Sequence, residues 1–139
     1  MKNYFIIILV AAGIILNGCD KEEEIIPNVS FSGMIYIPTM TENPMIFRTD
    51  INQRRLGVYG VVVYQSGPEE FYAFDLMCTN EKSAECLVEI TDGATCTCPC
   101  CESRFFIVTQ EGGIAEGPAK WSLKGYSTYV DGNYLVISN

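Results

Sequence analysis

Past residue 28 the chain alternates short apolar runs with clusters of turn residues, and none of the runs repeats at helical spacing. VSFSGMIYI (29–37) is rich in β-formers and predicts a strand. Residues 38–56 hold Pro38, Pro44 and many polar side chains, so they read as loop with at most one strand, over 45–49. GVYGVVVYQ (57–65) is β-branched and aromatic and too short for a helix. Residues 66–69 turn the chain, and EFYAFDLM (70–77) returns as a strand. Alternation puts Phe71, Ala73 and Asp75 on one of its faces and Tyr72, Phe74 and Leu76 on the other. CLVEIT (86–91) and RFFIVT (104–109) predict two further strands, closed by Asp92-Gly93 and by residues 110–113. A last hairpin joins LKGYSTYV (123–130) to YLVIS (134–138) through Asp131-Gly132-Asn133. Many short strands with regular turn signals predict an all-β antiparallel sandwich or small barrel over 29–139.

The N-terminus has a different pattern. Lys2 precedes an uncharged apolar run over 4–16, which reads as a signal peptide spanning 1–18 and is short for a bilayer span. Leu16-Asn17-Gly18-Cys19 resembles the lipobox of bacterial lipoproteins, with Asn17 a departure from its usual small residue. On that reading Cys19 is lipidated and anchors a cell-envelope protein. An uncleaved anchor with Cys19 incidental is the plainer alternative. The run DKEEE (20–24) opens an acidic tether over 19–28. It reads equally as a solvated spacer and as a tag that sends lipoproteins to the outer-membrane surface.

Composition narrows the chemistry. The 139 residues carry a formal charge of −8, which excludes a nucleic-acid partner on electrostatic grounds. Cleavage before Cys19 removes Lys2 and makes the chain more acidic still, so the lipid must do the anchoring to the membrane. Histidine is absent, which removes Ser–His and Cys–His nucleophile pairs and every His-ligated metal. No catalytic residue is assigned.

There are 7 cysteines: Cys19, Cys78, Cys86, Cys96, Cys98, Cys100 and Cys101. With Cys19 given to lipid, the even remainder in an exported chain reads first as disulfides and second as a thiolate metal site.

ATCTCPCCESRFFI (94–107), followed by GGIAEGPAKWSLKGY (112–126), resembles the second half of a Rieske iron–sulfur domain, and YAFDLMCTN (72–80) resembles its first half. The likeness covers 57–138 well and 29–56 weakly. It implies a Rieske-like fold with a base of antiparallel strands and a small cysteine-rich loop subdomain. It sets Cys78 and Cys98 on the cysteine ligands and Asn80 and Cys101 on the histidine ligands. Glu102 stands where the family has glycine. A Rieske centre holds one iron by two cysteines and the other by two histidines, so a standard cluster is excluded here.

Three outcomes follow from the resemblance. The favoured one is a cluster-free domain held by disulfides, with Cys78–Cys98 paired as former ligands of one iron and Cys86–Cys100 as the Rieske loop bridge. The pairing of Cys96 and Cys101 stays open. The second is an all-cysteine site on Cys78, Cys98 and Cys101 with Cys86 or Cys96, holding [2Fe–2S] or zinc. The third is a thiol pair that exchanges with partners. The expected function is a non-catalytic, lipid-anchored binding or structural module facing an envelope protein or ligand. The competing class is an electron-transfer or oxidoreductase component.

Overall fold

The computed structural model describes residues 24–139. The segment read as a signal peptide, the expected lipidation residue Cys19 and the first part of the acidic run lie outside the described residues.

Among the described residues ten strands form two antiparallel sheets, the all-β architecture that many short strands with regular turns predict. They are β1 (Ser32–Tyr36), β2 (Met45–Phe47), β3 (Val61–Gly67), β4 (Glu70–Asp75), β5 (Glu89–Ile90), β6 (Thr95–Thr97), β7 (Arg104–Phe106), β8 (Ile114–Glu116), β9 (Gly125–Asp131) and β10 (Tyr134–Ser138). The large sheet runs β1-β10-β9-β4-β3-β2 and the small one β5-β6-β7-β8. Only a short 3-10 turn, Ile37–Thr39, interrupts the β character among the described residues. Strands β6 and β8 lie in stretches the apolar pattern left unassigned, and β5 and β7 are shorter than the runs that announced them. Three-residue strands of this kind exist because a neighbour pairs with them, here Cys96 with Phe105 and Phe105 with Ile114.

The large sheet curls round its own core. Ile35 of β1, Val61 and Val63 of β3, Phe71 and Ala73 of β4, and Leu135 and Ile137 of β10 meet there with Leu56 and Tyr126. The opposite face of β3 and β4 turns Val62 and Phe74 into a second core. There they pack with Leu76 just beyond β4, with Val88, Phe105, Ile107 and Leu123, and with Cys78, Cys96 and Cys98. Strand β4 is therefore buried on both faces, and its alternation sorts side chains between two cores. Burial of such apolar area, at about 25 cal/mol per Å2, drives the docking of the sheets.

Two buried carboxylates fix the loops. Asp50 accepts hydrogen bonds from the backbone of Asn52 (2.8 Å) and Arg54 (2.9 Å) and pairs with the Arg54 guanidinium at 2.7 Å. Burial pushes its pKa up, but these bonds and the Arg54 charge outweigh burial and hold it below the ordinary aspartate value. Asp75, with no exposed surface, accepts from Val58 N–H (2.7 Å), Met77 N–H (2.8 Å) and the Tyr126 hydroxyl (2.8 Å). It ties the turn before β3, the start of the cysteine loop and β9 to one point. Gly57 sits against it with φ +60, and a Cβ there would lie 2.4 Å from the carboxylate.

The chain that enters the domain is docked rather than loose. Ile26 is buried, and Asn28 receives Lys124 Nζ at 3.0 Å and the Asn139 amide.

Candidate metal centre

Two loops of like construction face each other at one end of the second core. In each, a cysteine carbonyl accepts the N–H four residues on: Lys82 N–H to Cys78 at 2.8 Å, and Glu102 N–H to Cys98 at 2.9 Å. Each turn closes on a non-glycine residue in left-handed backbone, Lys82 at φ 51 and Glu102 at φ 61. Left-handed backbone costs an L-residue about 1–2 kcal/mol, and a glycine would give back part of that through its freer unfolded state. Glu102 is exposed, so Glu102→Gly should raise stability by about 0.5–1 kcal/mol, read as a higher urea midpoint at unchanged m-value. A lower midpoint would show that the Glu102 side chain supports the loop.

A disulfide joins the loops, Cys86 to Cys100, with an S–S distance of 2.04 Å and a sequence separation of 14. Closing a loop of that length restricts the unfolded chain by roughly 3 kcal/mol. Among the described residues Cys78, Cys96, Cys98 and Cys101 are free thiols. The expected Cys78–Cys98 bridge is thus absent, and that pairing is corrected. Cys98 Sγ points to the Cys86 carbonyl at 3.8 Å, while Cys78 Sγ meets Cys101 Sγ at 3.7 Å.

The three sulfurs of Cys78, Cys98 and Cys101 all lie within 4.8 Å of one another. Neither residue considered as a fourth ligand joins them. Cys86 is consumed by the disulfide, and Cys96 is buried on β6 within the apolar core, its thiol pushed up to about 12 by burial and then by the charge of Asp92. Asn80 is exposed and its amide donates to Glu81 at 3.2 Å. The residues present therefore do not fit a Rieske cluster: of the two residues that the resemblance sets on histidine ligands, Asn80 is exposed and Cys101 supplies a third sulfur.

The thiols differ in acidity. Burial pushes Cys78 up to about 12, against backbone hydrogen bonds from Glu81 and Asn80. For Cys101 burial also raises the pKa. The Ser103 hydroxyl and backbone and the thiols of Cys98 and Cys78 more than offset it, leaving a net lowering. As a thiol, Cys101 donates to Ser103 Oγ at 3.2 Å; as a thiolate, it can accept from the same hydroxyl, which turns freely. Ser103 is fully buried and also accepts from Ala119 N–H at 3.0 Å. Gly117, at φ +97, lets the segment after β8 close in, since a Cβ there would stand 2.5 Å from Ser103 Cα. The spacing Gly117-Pro118-Ala119 carries this support in the sequence, but its contact with Ser103 is visible only in the fold.

On the outer side, Thr79 donates to the Trp121 carbonyl at 2.6 Å, and Trp121 is 56 % exposed. A groove of about 490 Å3 runs between Thr79, Trp121, Lys124 and the entering residues Glu24, Ile25, Ile26 and Asn28.

No protein-family model matches the chain, and no curated protein matches it. Among solved structures, a ferredoxin of Sphingomonas yanoikuyae B1 is similar at 17 % identity and a TM-score of 0.48, over 70 % of this chain and 88 % of that one.

Proposed function

We propose that the protein is a lipid-anchored, non-catalytic metal-binding protein of the cell envelope. In this reading its Rieske-like domain carries one thiophilic metal ion, of the zinc class, in place of an iron–sulfur cluster. One observation carries the reading: three cysteine sulfurs from two cross-linked loops converge within 4.8 Å. Tetrahedral zinc with Zn–S bonds of about 2.3 Å sets its sulfurs roughly 3.8 Å apart. The 3.7 Å between Cys78 and Cys101 suits such an ion. Thiolates select zinc and cuprous ions over hard cations. Three protein ligands leave a fourth position for a small ligand or water. A two-iron cluster on the same residues is the weaker reading, because it spreads its ligands over two metals and these three sulfurs crowd around one point. The anchor rests on the apolar run that ends at Cys19.

Protein purified aerobically from zinc- and iron-replete cells should contain one zinc per chain, no stoichiometric iron and no visible absorption. Cys19→Ser should release the folded protein from membranes with its zinc retained. Two irons per chain, or no metal with all three thiols reduced, would overturn the metal reading. Unchanged membrane association and mass of the Cys19 variant would overturn the anchor.

A further inference from the structure

The same three sulfurs differ in access and in partner. Cys78 and Cys98 have no exposed surface, whereas Cys101 is partly exposed. Cys101 Sγ and Cys78 Sγ stand 3.7 Å apart, and Cys98 Sγ is turned to the Cys86 carbonyl. The Cys86–Cys100 disulfide, next to Cys101 in the chain, keeps the two loops opposed whether or not an ion lies between them. An S–S bond of about 2.05 Å is within reach of a small side-chain movement by this pair.

We infer that Cys101 and Cys78 form a peroxide-reactive dithiol, and that its oxidation expels the metal. The metal consequence rests on the proposed metal site; the dithiol chemistry does not. The Cys101 thiolate attacks one oxygen of a hydroperoxide. The O–O bond breaks, hydroxide leaves and takes a proton as water, and Cys101 becomes a sulfenic acid. The Cys78 sulfur then attacks that sulfur. The S–S bond forms as the S–O bond breaks, and the departing hydroxide takes the Cys78 proton, or a proton from solvent where Cys78 is held as a metal-bound thiolate. Two thiols lose two electrons in total, and one hydrogen peroxide becomes two waters. Cys98 alone cannot hold the ion, so a ligand site becomes an empty disulfide. The partial exposure of Cys101 makes it the sulfur that meets the oxidant, with Cys78 the resolving thiol.

The test titrates the full-length, zinc-loaded protein with hydrogen peroxide, follows zinc with a chromophoric chelator, and maps disulfides without reduction. The expected result is one zinc released per peroxide consumed, a new Cys78–Cys101 linkage, and Cys96 and Cys98 alkylated as free thiols once the chain is unfolded. Cys98→Ser should form the same linkage while holding no zinc. A new disulfide that contains Cys98, a sulfinic acid at Cys101 without a disulfide, or thiols that survive excess peroxide would each overturn the inference. If the purified chain holds no zinc, the same mapping on that chain still decides the dithiol, so failure of the metal site and failure of the dithiol give different results.

Discussion

Cys101→Ser should empty the proposed zinc site, with zinc falling from the expected one per chain to less than a tenth, while Asn80→Ala keeps its full complement. The resemblance sets both residues on histidine ligands, yet the fold separates them: Cys101 Sγ lies in the sulfur triad and Asn80 is exposed. Thiolate–zinc binding in structural sites totals on the order of 10 kcal/mol or more. Shared over three sulfurs, one thiolate accounts for roughly 3 kcal/mol, which is more than 100-fold in affinity. Serine is the informative replacement because it keeps the size of the side chain and offers a hydroxyl that does not ionise at neutral pH. The disulfide remains in this variant, so its melting temperature should approach that of the metal-free parent. Zinc retained at full stoichiometry in Cys101→Ser would remove the triad as the site.

The largest loss of stability should come from Asp75→Ala, about 4 kcal/mol. The carboxylate has no exposed surface and takes hydrogen bonds from Val58, Met77 and Tyr126. Removing it strands three donors from three different segments, at about 1–3 kcal/mol each. In a domain of this size that lowers the melting temperature by roughly 15–25 °C. Tyr126→Phe should cost only about 1–2 kcal/mol, since two of the three donors keep their acceptor. Asp75→Asn should fall between, because its amide nitrogen cannot accept from Met77 or from the pair on the other oxygen. Burial, and after it the charge and hydrogen bond of Asp75, push the Tyr126 pKa upward, so its hydroxyl remains a donor throughout the range where the protein is folded. A loss below 1 kcal/mol in Asp75→Ala would mean that water replaces the carboxylate and that the network does not hold the cysteine loop.

Strands β3, β4, β9 and β10 are legible in the sequence because each lies in a run of β-formers bounded by turn residues, such as Asp131-Gly132-Asn133, and β4 alternates as well. The short strands β6 and β8 are not legible, since three residues carry no period and their pairing comes from β7. The face assignment of β4 follows from alternation alone, but alternation cannot say that both faces are buried. That depends on the small sheet packing across Val62 and Phe74.

The thiols follow the same division. Composition determined that no histidine is available to hold a metal and that cysteine is the available soft ligand; the motif resemblance then implies a Rieske-like fold without its histidine ligands. Only the tertiary structure decided which sulfurs meet. Cys100 and Cys101 are neighbours in the chain, yet one is bridged to Cys86 and the other meets Cys78. The outcome turns on the left-handed closure at Glu102 and on how two loops some twenty positions apart are brought together. Spacing lists candidate ligands; the backbone dihedrals that aim them, and the contacts that fix those dihedrals, are long-range properties of the folded chain.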